Sequence, residues 1–508
     1  MSVPAGNLSD LVRAAAERSP DTTAFLSGTA STTWREVDAQ VDAAAAALLG
    51  LGLRTGDRVA ISLPNVLEFP VAYFGVLRAG LVAVPLNPGS TAHELRWTLS
   101  DSGARAAVVG PAGLDVLQPL AAELPALEHL LVTGAALTGR GDARSWRELL
   151  DAAAGRPVPA TGGGEDLAVL LYTSGTSGRP KGAMLPHRAL LANLEQTARI
   201  EPPVMAADDV VLLVLPLFHV YGLNAALGSV ARHGATGLLV ERFDPVETLD
   251  ELRRAGVTNV VGAPPMYVAW SMLPGVEEAF ADVRLALSGA APLPAAVLQR
   301  VLDLTGRPVF EGYGLTETAP VLTSTLMSET VTPGSIGRPV PGVELRLLDE
   351  RGDAVEEGDP GEVVVRGDNL FLGYWPDASG GPDEQGWFAT GDVAVLDGRG
   401  DLHLVDRRLD LVLVSGFNVY PREVEDVLLT HPEVAEAAVL GVPHPYTGEA
   451  VKALVVRTPG SRLTAEELIA HAASSLARFK CPTAVEFVPE LPRGATGKVR
   501  KGRLRELA

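Results

Sequence analysis

Apolar positions in the first two thirds of the chain come in short unbroken runs, and the segments between them carry apolar residues at helical spacing. Arg58-Val59-Ala60-Ile61-Ser62-Leu63 reads as a buried strand. Pro64-Asn65 turns into a helix near Leu67 to Arg78, Gly80 ends it, and Val82 to Leu86 reads as the next strand. Comparable runs recur at Ala106 to Val109, His129 to Val132, Val210 to Leu215, Thr258 to Val261 and Val283 to Leu287. Strands alternating with helices predict an α/β fold of parallel sheets covered on both faces, up to about residue 330.

From about Thr332 the texture changes. Short β-rich runs such as Glu344 to Leu348 and Glu362 to Val365 are separated by Arg351-Gly352-Asp353 and Gly358-Asp359-Pro360-Gly361, which are hairpin and loop signals. A small, mostly antiparallel β subdomain is expected over about 331–406, completing an N-terminal domain 1–406. Residues 411–508 carry their own strand and helix runs, enough for a separate small α+β domain. No fixed-period repeat or low-complexity tract is present.

The longest apolar run, Val210 to Ala231, is long enough to span a membrane. It contains Pro216, His219, Gly222 and Asn224, which suit a buried strand, a turn and a helix instead. The N-terminus shows only the amphipathic pattern Leu8, Leu11, Val12, Ala15, so neither a signal peptide nor a transmembrane segment is expected. The 508 residues would make roughly three domains at about 150 residues each. With 42 Lys and Arg against 62 Asp and Glu, the net charge of −20 argues against nucleic acid as a partner, since no basic excess is available to displace counterions. A nucleotide ligand needs only a local site. Cys481 has no second cysteine to pair with, which fits a reducing cytoplasm.

Candidate chemistry begins at Tyr172-Thr173-Ser174-Gly175-Thr176-Ser177-Gly178-Arg179-Pro180-Lys181-Gly182, directly after the apolar run Leu167 to Leu171. Glycines allow close backbone approach to a phosphate, while successive N–H groups and hydroxyls cradle its oxygens. The spacing differs from the common P-loop, because Lys181 follows Pro180 and precedes Gly182. Alone, this segment could be a Gly/Ser surface linker. The chain also carries Glu311-Gly312-Tyr313-Gly314-Leu315-Thr316-Glu317-Thr318, Gly386 to Asp392, Asp406-Arg407 and Pro492 to Lys498. In this order, from about residue 10 to 505, the motifs resemble the adenylate-forming superfamily of acyl-CoA synthetases, firefly-luciferase-like enzymes and amino-acid adenylation domains.

The resemblance implies two half-reactions with ATP, Mg²⁺ and coenzyme A. A small-molecule carboxylate attacks the α-phosphate of ATP and pyrophosphate leaves; a thiol then displaces AMP. It assigns the hydroxyls and amides of Thr173, Ser174, Gly175, Thr176, Ser177 and Gly178 to the triphosphate, with Lys181 shaping the loop. Glu317 would take Mg²⁺ through a carboxylate oxygen and Thr316 the α-phosphate, where a Thr-Glu pair could otherwise simply cap a helix. Gly312, Tyr313 and Gly314 would form one wall of the adenine site, and Gly289, Ala290 and Ala291, between Ser288 and Pro292, the other. Asp392 and Arg407 would hold the ribose. Lys498 would enter with the C-terminal lid during adenylation and bridge the carboxylate and α-phosphate. The lid would then rotate, with Ser415, Gly416 and Phe417 lining a pantetheine channel.

Leu215 to Asn224 matches the stretch lining the acyl pocket, represented by His219, Val220, Tyr221 and Gly222 and joined by Pro264, Met266 and Ala319. Amino-acid-activating relatives place an aspartate after Phe218, where this chain has His219, so an α-ammonium is disfavoured. His219 would gate or orient the carboxylate, or serve as a packed structural histidine. The pocket segments carry no Arg or Lys, so a second substrate carboxylate would be poorly paired. The expected substrate is an apolar monocarboxylate, a medium- or long-chain fatty acid, with cinnamate- or benzoate-type acids as the alternative. A ligase loading a carrier protein tends to carry an insertion that the direct run from Asp392 to Arg407 lacks. A non-catalytic nucleotide sensor would not need Lys498, and a luciferase-like oxygenase is the remotest alternative. A homodimer is compatible with the resemblance.

The hinge expected at 407–410 departs from the family pattern. The charged residue that normally stands two positions after the ribose arginine is here Leu409, followed by Asp410. A leucine makes no polar contact on either side of a rotation, so domain closure is expected to be retuned. Leu409→Lys should therefore change the ratio of the two half-reaction rates, measured separately by pyrophosphate release and by thioester formation; an unchanged ratio rejects the idea.

Overall fold

The computed structural model describes residues 6–134, 143–173, 180–407, 412–414, 417–444, 448–476, 478–493, 499, 501 and 503–504. They fall into two compact units. One comprises residues up to Glu344 together with Arg366–Phe388; the other comprises Leu345–Val365 and residues from Ala389 onward.

In the first unit the described residues form two sheets of the expected parallel α/β kind. A seven-stranded sheet runs in the order Arg144–Ser145, His129–Val132, Ala106–Val109, Arg58–Ser62, Val82–Pro85, Leu167–Thr173, Lys181–Pro186. All its neighbours are parallel except the last pair, an antiparallel hairpin with Thr173 opposite Lys181. Ala60, Val84, Ala107, Val109 and Leu170 form its core, as unbroken apolar runs require when both faces are covered. The second sheet places Thr236–Leu239, Val210–Leu213, Asn259–Gly262, Leu285–Ser288 and Val309–Gly314 side by side in parallel. Val321–Ser324 then folds back antiparallel on Val309–Gly314.

Several strand ends differ from the sequence expectation by one or two residues, for local reasons. The run from Val210 stops at Leu213, because the Asn65 amide donates to the carbonyls of Leu213 and Leu215 and accepts from Leu217 N–H. Thr258 lies before its strand, since its hydroxyl donates to Asp209 and accepts from Val210 N–H. The Val210 to Ala231 run resolves as strand, turn and helix, and among the described residues no helix is long and apolar enough to cross a membrane.

Glu344–Leu348 and Gly361–Arg366, largely within the second unit, form the expected short strands, and Trp387–Leu396 pairs antiparallel with Leu402–Arg407. A five-stranded sheet follows, centred on the hairpin Val434–His444 and Gly448–Arg457. The helices Pro421–Leu429 and Ala465–Ala473 contribute Val424, Leu428, Leu468 and Ala472 to its core.

His187 begins the helix His187–Thr197 that follows the hairpin. It is 2 % exposed, and its Nδ1 accepts a hydrogen bond from Leu8 N–H at 3.0 Å. Burial pushes its pKa down to about 4 from 6.5. The folded state therefore favours the neutral ring, a contribution fully present above pH 6.5 and lost as pH falls toward 4. Stability should drop by on the order of 2 kcal/mol from this group alone between about pH 7 and 5. Urea titrations at the two pH values should show this slope in the wild type and a shallower one in His187→Leu.

Candidate active site

Residues singled out from sequence meet around the end of the strand Val309–Gly314 and the turn after it. Gly312, buried Tyr313 and Gly314 end the strand, and a tight turn places Thr316, Glu317 and Thr318 at its tip. Gly314 permits this reversal, because a Cβ there would lie 1.8 Å from the Pro320 carbonyl oxygen. Ala319 sits at φ 62°, in the left-handed region, with its carbonyl held by the Asn224 amide at 2.7 Å. Asn193 brackets Val321, two residues on, donating to its carbonyl at 2.8 Å and accepting from its N–H at 3.0 Å. Asn369 donates to Thr318 O at 2.8 Å. Three amides from separate segments thus hold the turn that carries Thr316 and Glu317.

The second predicted adenine wall lies at the end of the neighbouring parallel strand, Leu285–Ser288. Gly289 lets the Tyr221 ring lie against backbone, since a Cβ would meet that ring at 2.9 Å. Ala290 has φ 72°, and Ala291 is half-buried. Glu311, in register with Ser288, ties this segment to the Gly312–Gly314 end of its strand by accepting Leu293 N–H at 2.8 Å. Among the described residues the non-glycine positions with positive φ are Ala290, Ala319 and Ala378. Ala290 and Ala319 lie in these segments, and strain of this kind persists where surrounding structure over-determines it.

His219 and Val220 lead into a π-helical turn, Tyr221–Gly228. Wide helical turns recur at functional sites. His219 Nδ1 accepts from Tyr221 N–H at 3.3 Å, so the neutral ring carries its proton on Nε2 and can donate from there. Gly222 is required, because a Cβ would lie 2.4 Å from Pro216 O. Pro264 and Met266 are buried in the helix Pro264–Trp270, which is anchored by Tyr267 donating to Leu287 O at 2.7 Å. Asn224 links the Tyr221–Gly228 turn to the Thr316–Ala319 turn, donating also to Leu190 O.

Thr173 and Lys181 face each other across the mouth of their hairpin. Tyr172 donates to Asp101 at 2.5 Å, and burial and this carboxylate push the phenol pKa above its usual range. Lys181 is exposed, with Nζ 5.1 Å from the centroid of the Tyr374 ring. Tyr374 in turn donates to Glu317 Oε1 at 2.6 Å. In the second unit Asp392, 6 % exposed, stands in register with Arg407. Ser174, Gly175, Thr176, Ser177, Gly178, Leu409, Ser415, Gly416 and Lys498 lie outside the described residues, as do the side chains of Arg407 and Phe417.

Sequence reasoning missed Tyr374, Asn193 and Asn369, and gave Asn224 no task. The one local signal was Gly373-Tyr374-Trp375-Pro376, an aromatic pair between a glycine and a proline. Glu317 offers a half-buried carboxylate beside the buried Thr316, an oxygen-only donor set. Among the described residues no cluster of three or more His, Cys, Asp or Glu forms. Such a site fits Mg²⁺, which takes one or two carboxylates and draws its remaining ligands from water and phosphate.

The chain is similar to known proteins over nearly its whole length. The family model described as AMP-binding enzyme matches residues 12–375, and the one described as AMP-binding enzyme C-terminal domain matches 423–498. A long-chain-fatty-acid–CoA ligase from Yersinia pestis is 38% identical over 98% of this chain and 94% of its own length. A feruloyl-CoA synthase from Amycolatopsis is also 38% identical, over 96% of each chain. The crystal structure of ATP-bound MatB from Rhodopseudomonas palustris superposes with a TM-score of 0.89 at 35% identity, covering 99% of both chains.

Because Gly314 faces main chain that cannot yield, Gly314→Ala should lower stability by about 1–3 kcal/mol and displace Thr316 and Glu317. Thermal unfolding and ATP–pyrophosphate exchange should both report it, with exchange falling at least about tenfold. Wild-type exchange in a folded Gly314→Ala protein would show that the turn does not govern the site.

Proposed function

We propose that this chain, which belongs to the AMP-binding enzyme family, is an ATP-dependent acyl-CoA ligase that activates a medium- or long-chain fatty acid. The observation that supports the reading is Asn224, whose amide ties the Tyr221–Gly228 turn to the turn carrying Thr316 and Glu317. In the first half-reaction a carboxylate oxygen bonds to the α-phosphorus of ATP and the bond to pyrophosphate breaks. In the second, a CoA thiolate attacks the acyl carbonyl and AMP leaves.

Each residue's task follows from its chemistry. His219 donates from Nε2 to the substrate carboxylate, orienting one oxygen for attack. Thr173, Ser174, Gly175, Thr176, Ser177 and Gly178, with Lys181, which pairs with Thr173, hold the β- and γ-phosphates. Thr316 binds the α-phosphate, and Glu317 holds Mg²⁺, which when bound offsets charge on the phosphates. Tyr313 and the Gly289–Ala291 segment enclose adenine, while Asp392 and Arg407 take the ribose hydroxyls. Lys498 neutralises charge where two anions meet, the kind of preorganised donor whose loss costs on the order of 10²–10³ in rate. Residues 411–508 act as the lid that brings Lys498 in and then opens the channel at Ser415, Gly416 and Phe417. The chemistry needs one chain and is compatible with a homodimer, and the enzyme is proposed to be cytoplasmic.

The fatty-acid reading is supported by the buried, apolar Val220, Pro264, Met266 and Ala319 and by the named relatives that act on long-chain fatty acids. The feruloyl-CoA synthase relative keeps an aryl acid as the second reading.

Mass spectrometry of the protein with ATP, Mg²⁺ and a panel of fatty acids, cinnamates and benzoates, with and without CoA, separates these readings. Fatty acyl-CoA is expected; aryl-CoA selects the second reading, and acyl-adenylate persisting with CoA present points to a carrier-protein acceptor. In the same assay Lys498→Ala should lose adenylate formation by about 10²-fold or more yet convert supplied acyl-adenylate to thioester. Equal loss of both steps in a folded variant contradicts its role.

A further inference from the structure

Lys181 and Glu317 both touch one side chain. Tyr374 offers its ring face to the Lys181 ammonium at 5.1 Å and its hydroxyl to Glu317 Oε1 at 2.6 Å. The ring is fixed from several directions. Phe371 packs edge-on against it with centroids 5.2 Å apart, and Phe371 N–H donates to Glu317 O at 2.9 Å. Tyr374 N–H donates to Ser379 O and Trp375 N–H to Gly182 O, both at 2.8 Å. The lysine hairpin, the tyrosine and the glutamate turn therefore form one connected frame.

A lysine and a glutamate drawn to the same place would ordinarily pair. A charge-assisted contact would neutralise the carboxylate and compete with a divalent cation for the same oxygens. A phenol hydroxyl acts differently: it fixes the carboxylate rotamer through one oxygen, carries no charge, and leaves Oε2 unoccupied. A cation on an aromatic face is also held without a carboxylate. One residue thus satisfies both charges while keeping them apart.

We propose that Tyr374 is a positioning residue that keeps the Glu317 carboxylate oriented and free of a counter-ion for the divalent cation of the metal–nucleotide substrate, while its ring face holds Lys181 away. This rests on the reading that Glu317 is the metal residue. It makes Tyr374 part of how the adenylation site selects metal-bound nucleotide, although the side chain touches neither substrate nor reacting atoms.

The test measures binding without turnover. Mn²⁺ replaces Mg²⁺, a non-hydrolysable ATP analogue is saturating, and the free-Mn²⁺ electron paramagnetic resonance signal gives the apparent metal affinity. Y374F keeps the ring and its packing but loses the hydroxyl, and should weaken Mn²⁺ about tenfold, the usual effect of losing a partner that orients a metal ligand. Y374L also loses the ring face and should weaken it further, because Lys181 can then reach Glu317. Thermal unfolding confirms that each variant is folded. Wild-type Mn²⁺ affinity in Y374F, with clear loss in E317Q, overturns the role of Tyr374 and leaves Glu317 as the metal residue. Equal affinity in Y374F and Y374L overturns the charge-separating role of the ring. Wild-type affinity in E317Q removes the metal reading itself, and this proposal with it.

Discussion

The candidate site depends on a chain reversal with no room for a side chain at position 314. The strand Val309–Gly314 must turn within a few residues to return as Val321–Ser324, and the Pro320 carbonyl occupies the space a Cβ would need. That crowding fixes where the backbone goes after Tyr313, and hence where Thr316 and Glu317 stand. Ala319 absorbs the remaining strain in a left-handed conformation. Neither feature is favourable by itself; the surrounding hydrogen bonds offset the cost.

The fold and the site were legible to different depths. Buried parallel strands such as Ala106–Val109 and His129–Val132 were plain, because a strand covered on both faces must be apolar throughout. The Gly-Tyr-Gly-x-Thr-Glu segment was legible because its chemistry and its turn are local. The supports were not. Asn193 reaches a partner 128 residues away, Asn224 one 95 away and Asn369 one 51 away. An asparagine in sequence gives no sign of which distant carbonyl it will meet. Tyr374, 57 residues from Glu317, was hidden for the same reason. Strand ends slipped where a side chain competed for backbone groups, as Asn65 does at Leu213 and Leu215.

The two halves of the chemistry also share one scaffold. Asn224 belongs to the π-helical turn Tyr221–Gly228, yet its amide holds the turn that carries Thr316 and Glu317. Tyr374 binds that carboxylate and faces the lysine of the phosphate hairpin. The Tyr221–Gly228 turn, Glu317 and Lys181 are therefore connected through two side chains, and a shift in one segment is felt by the others through packing that is close to rigid.

The supports around Thr316 and Glu317 share a further property: Asn193, Asn224, Asn369 and Tyr374 are all uncharged side chains. The nucleotide proposed for this turn carries several negative charges and would arrive with a divalent cation. Salt screens exposed charges strongly but leaves neutral, buried hydrogen bonds almost untouched. The geometry of the turn is thus insulated from the ionic medium, and the response of the enzyme to ionic strength belongs to the encounter with its nucleotide rather than to the frame that receives it.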